Sequence, residues 1–226
     1  MRRSRASSAF GNRSRTWNEA GWERFMEMGG LMDKKKRGTL FVLSGPSGVG
    51  KGTLRARALK DIEGLTYSVS CTTRRPRPGD REGVDYRFVS EEAFTKMAER
   101  GLFLEYAQVH GGPRYGTLRE DVERELDAGR DVLLEIDVQG ALQVRALLPD
   151  AVLIFVLPPS DEELERRLRG RCTETESELQ ARLESARREM REAEKYDRLL
   201  VNDDLDRASE ALRTMVLDFR KGRLQG

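Results

Sequence analysis

The segment from Ser68 to Phe88, SVSCTTRRPRPGDREGVDYRF, gathers five arginines (Arg74, Arg75, Arg77, Arg81, Arg87), several hydroxyls and a tyrosine around two prolines and a Gly-Asp turn. Guanidinium groups meet phosphate oxygens in planar, bidentate pairs. Pro76, Pro78 and Gly79 restrict the loop that would aim them. This equipment suits a compact polyanion such as a monophosphate, although a solvated basic loop shares the composition. A second phosphate signal lies upstream, in Gly45-Pro46-Ser47-Gly48-Val49-Gly50-Lys51. Two phosphate sites in one chain point to a donor and an acceptor.

The upstream motif follows an apolar run and opens a helical pattern, the context that a phosphate loop requires. Its glycines let backbone N–H groups turn inward around phosphate oxygens, with the helix N-terminus adding its dipole. Lys51 would neutralise charge on the transferred group. After Lys51 comes Gly52, and the hydroxyl arrives one place later at Thr53. Direct magnesium ligation by a loop hydroxyl is therefore not expected; the metal would be held through water and nucleotide oxygens. Glu135 and Asp137 end a later apolar run, where carboxylates line the crevice of a parallel sheet. Exposed strand-end acids are the other reading, weakened by apolar Val132, Leu133, Leu134 and Ile136. Arg166, Arg167, Arg169 and Arg171, with Arg182 further on, form either a solvated face or a lid that closes cations over a nucleotide.

The elements that must position these groups are legible in outline. Leu40–Leu43, Val132–Ile136 and Val152–Leu157 are continuous apolar runs, the mark of strands buried on both faces, with a shorter run at Leu199–Val201. Helical patterns separate them over about 51–61, 117–128, 141–148 and 161–196. The alternation predicts an α/β fold, a parallel sheet wrapped by helices around the phosphate loop. Residues 68–110 read as a strand-rich insert with one helix, capped by Ser90 and stopped by Gly101. Residues 160–196 read as a helical hairpin with capping boxes at Ser160 and Thr175.

Composition sets the outer bounds. A chain of 226 residues, 35% charged and 38% apolar, reads as one globular domain with insertions, or at most a domain and a half. Its net charge of +2 is uneven: residues 1–37 hold ten Lys and Arg against four Asp and Glu, leaving 31 against 35 elsewhere. A mildly acidic body argues against nucleic acid as a partner. No apolar run approaches the roughly 20 residues of a membrane span. Cys71, Cys172 and the single His110 make neither a disulfide framework nor a metal motif, which fits the cytoplasm. Residues 1–37 read as an unstructured extension, whether a tail, a start codon placed upstream of Met32, or a basic targeting segment.

With these residues assembled, the chain resembles a guanylate kinase from Gly38 to about Asp218. The blocks that carry the resemblance are GPSGVGK, SVSCTTRRPRPGD, GVDYRF, FLEYA, YGT, LEIDVQGA, LPPS, RLRGR, TETE and VNDD. It implies a P-loop parallel-sheet core with a GMP-binding insert (about 68–117), a helical lid (about 160–196) and a tail over 219–226. It implies phosphoryl transfer from ATP, with Mg2+, to GMP and dGMP, with no obligate protein partner evident. Lys51, Arg74, Arg171 and Arg182 would take part in transfer. Gly45 to Thr53, with Arg167, Arg171 and Asn202, would bind ATP. Arg74, Arg77, Tyr86 and Tyr115 would hold the GMP phosphate, Ser70, Glu105, Thr117 and Asp137 would read the guanine, and Glu135 would also bind GMP.

The chain departs from the family pattern in places. One extra residue separates Glu105 from Tyr115, Glu135 stands where many members carry Asp, and Cys172 where many carry Gly. Two other functions use this fold: an inactive protein-binding module, and a kinase for another phosphorylated acceptor such as a ribose phosphate. An intact Lys51 and the lid arginines speak against the first. Ser70, Glu105 and Thr117, which would have no guanine to read, speak against the second.

Overall fold

The computed structural model describes residues 37–60, 62–108, 111–170 and 176–224. The expectations placed on residues 1–36, His110, Arg171, Cys172 and the Thr175 cap lie outside them.

The core is a five-stranded, fully parallel sheet in the order β2-β7-β1-β8-β9. Its strands are β1 (Leu40–Ser44), β2 (Leu65–Tyr67), β7 (Asp131–Glu135), β8 (Val152–Leu157) and β9 (Arg198–Val201). Every residue of β1 is buried because both faces are covered. Side chains alternate across a strand, so Leu40 and Val42 pack with Leu134, Leu153 and Phe155 on one face. Phe41 and Leu43 pack with Leu54, Ile154 and Leu212 on the other. Burying each such side chain contributes about 1.5–3 kcal/mol. The chain leaves β1 for β2 on one side and crosses back to β8 on the other, so the crevice opens at the carboxyl ends of β1 and β7. That is where ligands bind in such sheets.

A second sheet, in the order β4-β3-β6-β5, is built from β3 (Cys71–Thr72), β4 (Arg87–Phe88), β5 (Phe103–Gln108) and β6 (Arg114–Leu118). Its helix, Glu91–Glu99, starts at Ser90, whose hydroxyl accepts from Ala93 N. Phe94 and Phe103 stack beneath this sheet, with ring centroids 4.5 Å apart.

Several elements differ from the sequence reading: the strand Leu65–Tyr67 and the helix Leu205–Leu224 were not expected, and the helix expected over 141–148 runs from Val138 to Leu147. The helix expected from 117 begins at Arg119, because Tyr115 and Thr117 pair with Ala107 and Glu105 as strand residues. The helix after the phosphate loop stops at Ala58. The last helix, Leu205–Leu224, runs through the segment read as a tail. Phe219 meets Phe41 edge-on, and Arg220 pairs with the buried Asp131 at 2.6 Å, so these residues belong to the packed body.

The arm after β8 consists of helices Asp161–Arg169 and Glu176–Met190. Leu164, Leu168, Leu179, Leu183 and Ala186 form a small core of their own between them.

Candidate active site

Gly50 caps the helix Lys51–Ala58 with left-handed backbone (φ +95°), no side chain caps the helix, and no acid stands in its first turn. The first-turn N–H groups are thus left to an anion. Gly45 (φ +142°) leaves β1 so closely that a Cβ there would lie 2.4 Å from Val156 O. Lys51 Nζ donates to Gly45 O at 2.6 Å and Pro46 O at 3.1 Å, which holds the ammonium across the loop mouth. Asn202 Nδ2 donates to Val49 O at 2.8 Å from beneath. Its amide is a buried brace of the loop rather than part of the cavity wall.

Cations of the arm reach the same loop. Arg182 Nη2 donates to Ser47 Oγ at 2.9 Å. Arg167 donates to Val49 O at 3.1 Å and Asn202 O at 3.0 Å, with its Nε held by Glu163 at 2.7 Å. Arg166 and Arg169 pair with Glu163, Glu165 and Glu176 on the arm itself and form a solvated face. The cluster therefore divides: two described arginines turn to the loop and two do not.

One cavity of about 830 Å³ joins the loop to the second sheet. Gly45, Ser47 and Lys51 line one end, and Ser70, Tyr86, Glu105 and Tyr115 the other; Glu135 and Asp137 stand on the wall, and Arg182 covers it from the arm. Its size suits a nucleotide-sized ligand. Ser185, Arg188 and Glu189 also face it. They follow Arg182 at helical spacing, a signal masked in the sequence by the arm's many other charges.

At the far end, Glu105 is 4% exposed. Thr117 lies directly opposite on the neighbouring strand, and its hydroxyl donates to Glu105 Oε1 at 2.6 Å. Thr117 is wholly buried, so it orients Glu105 instead of lining the cavity. Burial pushes the Glu105 carboxyl up to about 7, with the Asp137 charge adding and the Thr117 hydrogen bond opposing. Asp137 accepts from Gly140 N at 2.8 Å and so caps the helix Val138–Leu147.

Tyr86 and Tyr115 meet edge-on at 5.7 Å. The Arg74 guanidinium lies 5.2 Å from the Tyr86 ring centre, behind the Tyr86 that lines the cavity, and is not itself on the wall. Arg77 is exposed and stands off the wall, as does Thr53.

A departure from the usual phosphate-loop motif, Gly52, and one from the family pattern, Glu135, meet in space. Arg55 Nε holds Glu135 Oε2 at 2.8 Å, and a Cβ on Gly52 would lie 3.3 Å from Glu135 Oε1. The longer acid reaches over residue 52, and a side chain there would have to push it aside.

The family model described as guanylate kinase matches residues 37–218. The chain belongs to the guanylate kinase family. A guanylate kinase of Caldanaerobacter subterraneus subsp. tengcongensis is 47% identical over 186 residues, covering 82% of this chain and 90% of the relative. One from Thermus thermophilus is 53% identical over 175 residues, 77% of this chain and 78% of the relative. The crystal structure of guanylate kinase from Anaplasma phagocytophilum superposes with a TM-score of 0.66 at 34% identity, covering 81% of this chain and 86% of that one. That structure shares the fold, and the cavity described above lies within the residues that the family model matches.

Proposed function

We propose that the chain transfers the terminal phosphoryl group of ATP to GMP, and to dGMP, giving ADP and GDP. One observation carries this reading: a buried carboxylate, Glu105, shares a cavity with an uncapped phosphate loop and its lysine. Guanine presents N1–H and N2–H₂ as donors, and a carboxylate is the acceptor pair that answers both. The GMP phosphate oxygen forms the new bond to the γ-phosphorus as the bond to the β-phosphate oxygen breaks, and ADP leaves. That oxygen is already anionic, so no general base is required. The protein supplies position and charge: Lys51, Arg182 and Arg171 at the donor phosphates, Arg74, Arg77, Tyr86 and Tyr115 at the acceptor phosphate.

ATP enters as its magnesium complex. Gly52 offers the metal no hydroxyl, and Thr53 is exposed and off the wall. Among the hard oxygen donors lining the cavity, Glu135 and Asp137 would hold the metal through its water shell. No helix among the described residues is long and apolar enough to cross a membrane. Cys71 is a free, buried thiol, which fits a reducing cytoplasm. Phosphorus NMR of ATP and GMP with the enzyme tests the reaction: ADP and GDP should appear in equal amounts. ADP formation at a rate independent of GMP would refute it.

The acceptor should bind with a marked pH dependence. Glu105 pairs with guanine only when ionised, and its carboxyl titrates at about 7 in the free protein. Lowering the pH from 8 to 6 should weaken GMP binding roughly tenfold, and at pH 7 binding should release about half a proton. Calorimetry in buffers of different ionisation enthalpy measures the proton, and Glu105→Gln should abolish that release. For the free protein the sign is opposite. A carboxyl raised from its ordinary 4.5 contributes stability below that pH and loses it as the pH climbs to about 7.

Gly140→Ala gives a steric test. Alanine favours a helix by about 1 kcal/mol, but a Cβ here would lie 2.4 Å from Glu105 Oε2 and 3.3 Å from Asp137 Oδ1. The KM for GMP should rise about tenfold or more, with little change in melting temperature. An unchanged KM would mean that Glu105 does not hold the base.

A further inference from the structure

The loop that carries Arg74 and Arg77 is organised by a residue that neither donor nor acceptor has claimed. Residues 77–80 form a tight turn with Pro78 and Gly79 (φ +92°) at its centre, and Asp80 N donates to Arg77 O at 3.0 Å. The Asp80 side chain closes the turn from the other side: its Oδ2 accepts from Arg77 N at 2.6 Å. The same oxygen lies 2.9 Å from Arg74 Nη2. Both side chains are largely covered, Arg74 at 12% exposure and Asp80 at 18%. Arg74 Nη1 donates to Arg75 O at 2.9 Å, and Arg74 N donates to Thr72 Oγ1 at 3.1 Å. The guanidinium is thus held from the loop side at two nitrogens, with its ring-facing side over Tyr86 and Phe88 at 5.2 and 5.6 Å.

We propose that Asp80 is a positioning residue for the acceptor's phosphate: one carboxylate oxygen sets the main chain of Arg77 and the guanidinium of Arg74 in register with each other. This rests on the reading that Arg74 and Arg77 hold that phosphate. An arginine on a flexible stem loses side-chain entropy when it is fixed. A carboxylate that fixes it beforehand lowers the cost that falls on the ligand. Its charge-assisted hydrogen bonds are also the stronger kind. The opposite role is conceivable on electrostatic grounds, since a carboxylate beside the site repels a phosphate. The geometry favours positioning, because Asp80 and the Arg75 carbonyl engage one N–H each and leave the guanidinium's other donors for a ligand.

Calorimetry with GMP and with guanosine, which lacks the phosphate, separates these effects. Asp80→Ala should lose about tenfold or more in GMP affinity while guanosine binds as to the parent. Asp80→Asn keeps an oxygen that accepts both hydrogen bonds and should recover part of that loss. GMP binding to Asp80→Ala that is unchanged or tighter would overturn the proposal, the tighter result marking Asp80 as a competitor of the phosphate. An equal loss for GMP and guanosine would overturn it too, by reducing Asp80 to a general support of the insert. Arg74→Ala is the control for the underlying reading. If it keeps the full advantage of GMP over guanosine, the phosphate lies elsewhere, and that reading fails in its own right.

Discussion

Lys51→Ala should lower turnover on the order of 10³-fold or more while the protein stays folded, the scale of removing a transition-state cation in phosphoryl transfer. The structural reason is local. Lys51 opens a helix whose N-terminus has no side-chain cap, and its ammonium is held between Gly45 O and Pro46 O at the cavity's edge. As charge moves from the γ-phosphoryl to the departing ADP, that ammonium is the group anchored to follow it. Alanine suits the helix, and Lys51 is not part of either core cluster, so circular dichroism and melting should change little. Turnover within about tenfold of the parent, little more than 1 kcal/mol of barrier, would remove Lys51 from the mechanism.

Glu105→Gln should cut kcat/KM for GMP by roughly 10²-fold or more, about 3 kcal/mol of transition-state binding. The amide keeps the shape but presents a donor where guanine already offers donors, and a polar group left unpaired in a buried site is costly. Thr117 would still hold one end of the side chain, so the loss reports on the base contact and not on a collapsed strand. Kinetics with ATP varied should be nearly unaffected, because Glu105 lies at the end of the cavity away from the phosphate loop. A variant that keeps its full preference for GMP over AMP would show that the base is read elsewhere.

What could be read from the sequence follows the range of the interactions. The phosphate loop is a local motif: strand, glycines, lysine and helix occupy one continuous stretch, and the turn that carries Gly45, Gly48 and Gly50 is dictated there. The buried strands were equally legible, because a strand covered on both faces is apolar throughout. Cross-strand relations were not. Thr117 reads as the start of a helix until β5 stands opposite it and turns it into the partner of Glu105. Nothing near Asn202 or Arg167 announces that both brace Val49, more than a hundred residues away. The contact between Gly52 and Glu135 spans two distant segments whose departures look independent along the chain. Arg166 and Arg167 are neighbours in sequence and differ only in which side of the helix they occupy. The last helix, Leu205–Leu224, was missed whole, because Phe219 and Arg220 find their partners, Phe41 and Asp131, only in the folded body.

The most direct test of the central claim is ADP release from ATP measured against a panel of acceptors: GMP, dGMP, AMP, UMP and ribose phosphates. A site built on a buried carboxylate can reject a mismatched base by about 10⁴–10⁵, because its polar groups are left unpaired. Rapid, saturable turnover with GMP and dGMP, and values of kcat/KM lower by about that factor for AMP, UMP and the sugar phosphates, is the result expected. Turnover with a ribose phosphate that matches or exceeds GMP, or no turnover with GMP while ATP still binds, would contradict the account.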